Sequence, residues 1–183
     1  GTVTVSNNIN ITGSSEAIAA AVALVDTFSN TPTATLGDAH TLAELKAINN
    51  AISGTITLND VTVALNGSSA DVAAALAGTF TVGYTGTATL NNAHTLAQLV
   101  AINNGTTNTI TLNDYTVGLT GSTADIKAAL AGTFASTYTG NVIINDANGV
   151  GIAATDITTI AGDTNGTVTV SNNINITGSS EAI

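Results

Sequence analysis

The chain lacks several residue types on which common protein chemistries depend. Its 183 residues include no Cys, Met or Trp, and two Lys or Arg against twelve Asp or Glu. Without Cys there is no disulfide, no thiolate nucleophile and no Cys-ligated metal. Two cations cannot form a phosphate-binding face, and a formal charge of −10 repels nucleic acid and anionic membranes. We therefore expect no nucleic-acid partner.

Long apolar runs and catalytic patterns are also missing. The longest apolar run, from Ala17 to Val25, is too short to span a bilayer, so we expect no membrane insertion. No Ser–His–Asp order stands out, and the three Tyr and three Phe are too few for the aromatic platforms of a polysaccharide-acting enzyme. These absences predict that the chain is not an enzyme. Apolar residues make up 44%, so a core can still be buried.

Internal repetition dominates what is present. Residues 166–183 repeat residues 1–18 letter for letter, at an offset of 165 residues. Residues 33–86 match residues 87–140 at 37 of 54 positions. Such agreement predicts one solenoid segment over 1–183, with a super-repeat over 1–165 that restarts at 166–183.

A smaller unit is marked by strand-like tetrapeptides such as Thr33-Ala-Thr-Leu36 and Thr55-Ile-Thr-Leu58. They predict about six strand–helix units per super-repeat, which alternate broadly between short and long. The units start near residues 2, 33, 55, 87, 109, 141 and 167.

Each tetrapeptide alternates apolar and polar residues, which is typical of a half-buried strand. A turn pair of Asn, Asp, Ser or Gly follows, and then a helical pattern. Thr41 with Glu44, and Thr95 with Gln98, have the spacing of a capping box at a helix start. The pairs Asn49-Asn50 and Asn103-Asn104 predict left-handed caps at the helix ends.

The long units carry extra residues before their helices. Val61–Leu65 and Tyr115–Leu119 alternate again and predict a second short strand. Asp71 and Asp125 then fall in the first turn of an Ala-rich helix, where the helix dipole favours an anion. The aromatic residues behind these helices are expected to fill the space under the return loops.

Strand–turn–helix units in series imply parallel strands and right-handed crossovers. The pattern predicts an α/β fold: a right-handed repeat solenoid with a stacked parallel β-sheet on one side and short helices on the other. A coil made of the 54-residue pair is an alternative that the sequence leaves open.

Four aspartates follow predicted strands and would share one column of the solenoid. They are Asp38, Asp60, Asp114 and Asp146. Like charges this close need a cation or hydrogen bonds, and calcium prefers such oxygen ligands. No EF-hand loop or GGxGxD nonapeptide is present, so turn formation and an Asn/Asp ladder are the simpler explanation. We expect no obligatory cofactor, with weak calcium binding as the alternative.

Threonines on the outward face of the strands form the second candidate site. They are Thr55, Thr57, Thr87, Thr89, Thr109 and Thr111. Stacked strands would place them in a flat grid with spacings of about 6.7 Å and 4.8 Å. Such a grid resembles the ice-binding face of β-solenoid antifreeze proteins and could also meet a glycan. Thr is equally the ordinary residue of a solvent-facing strand.

His40 and His94 occupy equivalent places in two short units. No other residue at metal-ligand spacing accompanies them, so we interpret them as polar residues beside a helix N-terminus rather than as a metal or acid–base pair.

The strings DAHTLAELKAINN, GTITLNDVTV and GSSADVAAALAG resemble repeats in giant extracellular surface proteins and adhesins of cyanobacteria and other marine bacteria. The resemblance covers the whole chain and implies an extracellular, cell-surface role without catalytic residues. It suggests a stiff acidic rod within an adhesin, sheath, surface layer or filament. Its partners would be further repeats or copies of itself joined end to end.

Overall fold

The computed structural model describes residues 1–179, which form an α/β structure of six helices and parallel strands. The helices are α1 (Ser15–Val22), α2 (Leu42–Ala51), α3 (Ser69–Leu76), α4 (Leu96–Gly105), α5 (Thr123–Leu130) and α6 (Ala154–Asp163). The first seven strands are β1 (Thr4–Val5), β2 (Asn10–Gly13), β3 (Thr27–Phe28), β4 (Thr33–Leu36), β5 (Thr55–Thr57), β6 (Leu65–Gly67) and β7 (Thr79–Phe80). The other seven are β8 (Ala88–Leu90), β9 (Ile110–Thr111), β10 (Leu119–Gly121), β11 (Val142–Ile144), β12 (Gly151–Ala153), β13 (Val168–Val170) and β14 (Asn175–Thr177). The repeat copy at 166–183 extends beyond these residues, since 180–183 lie outside the described part.

The elements follow one order, strand–strand–helix, which occurs six times and is followed by β13 and β14. We call each such set a unit and number the units 1 to 6. Helices α1 to α5 start 27 residues apart, at Ser15, Leu42, Ser69, Leu96 and Thr123. Each helix contacts the helix of the next unit.

All strand pairs are parallel and join consecutive units. The paired residues lie 22 to 26 positions apart, as in Ala34 with Ile56 and Val142 with Val168. The strands of residues 1–179 form five sheets, with strand orders β1-β3, β2-β4-β5-β7, β6-β8-β9, β10-β11-β13 and β12-β14.

The difference between the strand register and the 27-residue helix spacing explains why each sheet is short. In the sheet that begins with β2, the strands start at Asn10, Thr33, Thr55 and Thr79. The following helices start at Ser15, Leu42, Ser69 and Leu96, so each strand lies further ahead of its helix than the last. After three or four strands, the next residue in register falls outside the segment of the unit that forms strands. A new sheet then begins with a strand directly before a helix, at β6 or β10.

All seven predicted tetrapeptides contain a strand, and the predicted α/β class is confirmed. Their alternating spacing has a simple cause. The tetrapeptides at 33 and 87 contain the second strands of units 2 and 4, whereas those at 55 and 109 contain the first strands of units 3 and 5. The helix spacing is thus uniform where the sequence suggested short and long units.

Two local predictions were wrong. The second strands of units 3 and 5 start at Leu65 and Leu119, the last residues of the predicted segments, because the preceding aspartates form side-chain turns. The helices also run past the paired asparagines, to Ala51 and Gly105, and among the described residues only glycines have a positive φ. No left-handed asparagine cap exists in residues 1–179.

The core lies between the helices and the strands, in two adjoining clusters. One is built around Ile18, Ile48 and Ile56, and the other around Leu99, Ile126 and similar residues of the later units. Both pack against Leu58 and Phe80, so the interior is continuous from unit to unit.

Candidate functional site

The threonine face exists as two separate patches. Thr57 pairs in register with Thr35, and Thr111 pairs with Thr89. The residues between the threonines along the strands, such as Ile56 and Ala88, are buried, so the threonines lie on the opposite face of these strands. Their side chains are half-buried or exposed.

The two patches belong to different sheets, β2-β4-β5-β7 and β6-β8-β9. In the sheet β10-β11-β13, the corresponding row consists of Thr120, Ile143 and Thr169. The outward rows are therefore interrupted rather than continuous.

The four aspartates divide into two pairs with different contacts. Asp38 accepts a hydrogen bond from the backbone N–H of Ser15 at 2.7 Å, and Asp146 accepts one from Thr123 at 2.9 Å. Ser15 and Thr123 are the first residues of α1 and α5. These carboxylates therefore satisfy free N–H groups at the start of the helix one unit back.

Asn92 makes the equivalent contact, since its Oδ1 accepts from the Ser69 N–H at 2.8 Å. An amide serves here as well as a carboxylate, which explains why Asn and Asp interchange at this position. The contact needs an acceptor oxygen and not a charge.

Asp60 and Asp114 instead fold back on the residue two positions ahead. Asp60 accepts from the Thr62 N–H at 2.8 Å and from its hydroxyl at 2.6 Å, and Asp114 makes the same pair of bonds to Thr116. These hydrogen bonds hold the pKa of both carboxyl groups below the ordinary value. Both groups act as turn-forming residues.

Within residues 1–179, no three His, Cys, Asp or Glu side chains come together in a group that could hold a metal ion. Each of the four aspartates of the predicted calcium site instead accepts a hydrogen bond from the backbone of the protein. Calcium binding there stays a prediction.

His40 and His94 are buried and belong to a repeated hydrogen-bond chain. The Nε2 atom of His40 lies 2.9 Å from the Tyr84 hydroxyl, which donates to the Val63 carbonyl at 2.6 Å. His94, Tyr138 and Val117 repeat the arrangement at 3.1 and 2.6 Å. The predicted position beside a helix start holds, but the tyrosine partner was missed.

The sequence did contain a signal for this pairing. Tyr84 follows His40 by 44 residues, and Tyr138 follows His94 by 44 residues. Because the tyrosine proton goes to the Val63 carbonyl, the His40 Nε2 must carry the proton that it donates to the tyrosine oxygen. Its Nδ1 atom is then a buried acceptor with no partner among the described residues.

Burial lowers the pKa of both histidines, although nearby carboxylates oppose the shift. It also raises the pKa of Tyr84 and Tyr138. The two histidines and the two tyrosines are thus held neutral. Each His–Tyr pair is a packing contact between units two apart, and the tyrosine hydroxyl donates its proton to a backbone carbonyl.

The predicted capping boxes are confirmed, and they extend to the helix of the preceding unit. The Glu44 carboxylate accepts from the Thr41 N–H at 2.7 Å and from the Ser15 hydroxyl at 3.2 Å. Gln98 makes the same contacts with Thr95 and Ser69, both at 2.9 Å. Ser15 and Ser69 are buried, so each box ties one helix start to the next.

The asparagines expected at helix ends act across the helix pair instead. Asn49 Nδ2 donates to the carbonyls of Ala74 and Ala75 at 3.0 Å, and these are among the last carbonyls of α3. Asn103 does the same for Ala128 and Ala129 of α5. Four orphan carbonyls are therefore satisfied from a neighbouring helix.

Both lysines are paired with an aspartate of the next unit. Lys46 meets Asp71, and Lys127 meets Asp156. Each aspartate lies in the first turn of its helix. The two lysine charges thus lie between helices, and the strands of residues 1–179 contain no charged residue.

Comparison of the chain with protein-family models, curated proteins and solved structures found no match. The resemblance to surface-protein repeats therefore stays a prediction. In residues 1–179, the helices are all too short or too polar to traverse a bilayer.

Proposed function

We propose that the chain is a structural segment of an extracellular rod, part of an adhesin, sheath, surface layer or filament. The supporting observation is that every unit is joined to the next by parallel strands and by a helix contact. Units that contact mainly their neighbours can be added without redesign of a core.

The proposed architecture is a right-handed solenoid with one unit per turn. The 22 to 26 residue register supports a turn of this length rather than a 54-residue coil. A right-handed path follows from the rule for strand–helix–strand crossovers between parallel strands. The helix of each unit contacts the next helix, which supports their placement along one side.

The repeated sequence supports growth by addition. Residues 166–177, which restart the super-repeat, pair with β11 and β12 just as earlier strands pair with one another. Acidity supports a long array, because the twelve acidic residues against two basic residues in this chain favour solubility.

Solution scattering tests the rod. The chain would be compared with a longer chain that carries one additional 165-residue super-repeat. We expect the maximum dimension to increase while the radius of gyration of the cross-section stays constant. An increase in both, as in a growing globule, would contradict the proposal.

A second candidate function is recognition of ice or a glycan by the outward threonines. The observation that favours it is the register of Thr35 with Thr57 and of Thr89 with Thr111, which places hydroxyls on adjacent strands. Thermal hysteresis measures the ice version, and a glycan array measures the other. Thr57→Tyr with Thr111→Tyr should abolish either signal, whereas the exposed Thr107→Tyr serves as a control outside the patches.

A further inference from the structure

One 13-residue segment occurs twice in the described structure, with different neighbours. We call residues 1–13 the N-terminal copy and residues 166–178 the C-terminal copy; their sequences are identical. The N-terminal copy contains β1 and β2, and the C-terminal copy contains β13 and β14.

The C-terminal copy is held on the edge formed by β11 and β12. The Val142 N–H donates to the Thr167 carbonyl at 2.8 Å. The N–H groups of Ser171 and Asn175 donate to the carbonyls of Ile144 and Val150, both at 2.9 Å. These contacts use positions 2, 6 and 10 of the segment.

The N-terminal copy is held by its other edge, against β3 and β4. The carbonyls of Val3 and Val5 accept from Asp26 and Ser29 at 3.0 Å. The Ile9 carbonyl accepts from the Thr33 N–H at 2.9 Å. These contacts use positions 3, 5 and 9.

The two sets alternate because successive residues of a parallel strand point their backbone groups to opposite sides. The backbone contacts named above at positions 2, 6 and 10 face the preceding unit, and those at positions 3, 5 and 9 face the following one. One copy can therefore make both sets of hydrogen bonds at once. Residues 1–13 make one half of this joint and residues 166–178 make the other.

A side-chain contact adds specificity to the first half. Asn172 Nδ2 donates to the carbonyls of Asn145 and Asp146, at 3.2 and 2.7 Å. Asn7 is the same residue in the N-terminal copy and would supply the same donors.

We propose that a second copy of this chain docks here by segment exchange: its N-terminal copy replaces the C-terminal copy on the edge of β11 and β12. The inference rests on the proposed rod and names the joint by which separate chains extend it. The exchanged joint reproduces contacts already present in the structure on both sides. It also brings α1 of the incoming chain next to α6, as each helix lies next to the helix of the following unit.

The resident C-terminal copy competes with the incoming one, and its tethering gives it a high effective concentration. Weakening the resident copy alone should therefore start assembly. Ser171→Pro with Asn175→Pro removes two N–H donors to this edge and leaves the N-terminal copy intact. We expect this variant of the full chain to form linear oligomers whose mass rises with concentration in sedimentation velocity.

The matched control adds Ser6→Pro and Asn10→Pro, the same positions in the N-terminal copy. The incoming segment then lacks the same two donors, and the oligomers should return to monomer. A monomeric S171P/N175P chain that keeps its circular dichroism would overturn the proposal. Equal assembly with and without the N-terminal substitutions would also overturn it, because the contact would then lie elsewhere.

If the proline variant loses its circular dichroism, N172A replaces it as the variant that weakens the resident copy. Asn7→Ala is then added as the matched control, and oligomer formation is interpreted in the same way. Scattering separates the two proposals. A monomer that stays elongated refutes exchange and leaves the rod intact, whereas oligomers that are not linear refute the rod.

Discussion

At the residue scale, the most informative side chains are the two buried histidines. Each is held neutral with its Nδ1 acceptor unpartnered within the described residues. A proton added there would create a buried cation whose new N–H finds no acceptor, which is costly in a low-dielectric interior. The histidines should therefore limit stability in mildly acidic solution.

The sign of this pH dependence follows from the lowered pKa. The unfolded chain binds a proton at each histidine as the pH falls through about 6.5, whereas the folded chain does so only at lower pH. The free energy of unfolding should thus be highest above this value and fall between it and the pKa values of the folded state. Urea titrations from pH 8 to pH 5 measure the slope.

The matched variant is His40→Gln with His94→Gln, because a Gln amide can still donate to the tyrosine hydroxyl but does not titrate. We expect it to flatten the slope over this range. An unchanged slope would show that other groups are responsible. The lowered carboxyl pKa values, as for Glu44 through its bond to the Thr41 N–H, act only when the pH falls further.

The sequence predicted the place of these histidines but not their partners. A distance of 44 residues exceeds any local pattern, and it becomes a contact only because residues 22 to 24 apart meet on successive units. That register could not be read from tetrapeptides whose starts lie 22 to 32 residues apart. By contrast, Thr41 with Glu44 was predictable because a capping box is complete within four residues.

At the element scale, the helix pairs α2–α3 and α4–α5 are joined by the cross-helix asparagines. The approach is close, because a Cβ on Gly78 would overlap the amide oxygen of Asn49, and one on Gly132 would overlap that of Asn103. Each glycine follows the helix that the asparagine contacts. The two residue types therefore form a coupled pair.

This coupling makes a mutational prediction. Asn49→Ala leaves the carbonyls of Ala74 and Ala75 without their donor and should cost about 1–3 kcal/mol in the free energy of unfolding. Gly78→Ala should also destabilise, since the new methyl collides with the Asn49 amide. The double variant should cost less than the sum of the two, because removal of the amide makes room for the methyl.

Urea denaturation of the four chains in a double-mutant cycle measures the coupling. Asn50→Ala is the matched control, since Asn50 is the next residue of the same helix and is exposed. Strict additivity of Asn49→Ala and Gly78→Ala would contradict the proposed coupling.

Helix and strand identity was largely predictable, because each depends on short periodicity. The second strands of units 3 and 5 were placed four residues too early, because Val61–Leu65 alternates like a strand. There Asp60 diverts the backbone into a turn, and the Val63 carbonyl accepts from Tyr84 rather than from a strand. Side-chain competition of this kind is invisible to a hydrophobic pattern.

At the scale of the whole molecule, charge is the dominant property. The chain has twelve acidic residues and two lysines, and each lysine forms an ion pair with an aspartate. The remaining negative charges repel one another through solvent, and salt screens this repulsion. We expect the melting temperature to rise as sodium chloride is added, which differential scanning calorimetry measures.

A comparison of calcium chloride with sodium chloride distinguishes charge screening from calcium binding at a specific site. At equal ionic strength, calcium chloride should give the same melting temperature as sodium chloride, because the four predicted aspartates already have hydrogen-bond donors. An additional rise that disappears in Asp38→Asn with Asp146→Asn would restore the calcium column. Asn92 shows that the fold accepts an amide at this position.

The uneven strand register also divides the molecule into joints of two kinds. Units 1–2 and 3–4 share two strand pairs each, whereas units 2–3 are joined by β4–β5 alone and units 4–5 by β8–β9 with the Tyr84–Thr106 bridge. At the joints with fewer strand pairs, Asn49 and Asn103 donate hydrogen bonds to carbonyls of the next helix. The helix–helix contacts are also most extensive at these joints. Strand-held and helix-held joints thus alternate over units 1 to 5, whereas units 5 and 6 share the single pair β10–β11 and the Ile110–Phe134 bridge. Under tension, or at the onset of denaturation, rupture should begin at the helix-held joints and release pairs of units together, so that the 54-residue sequence period becomes the period of mechanical failure.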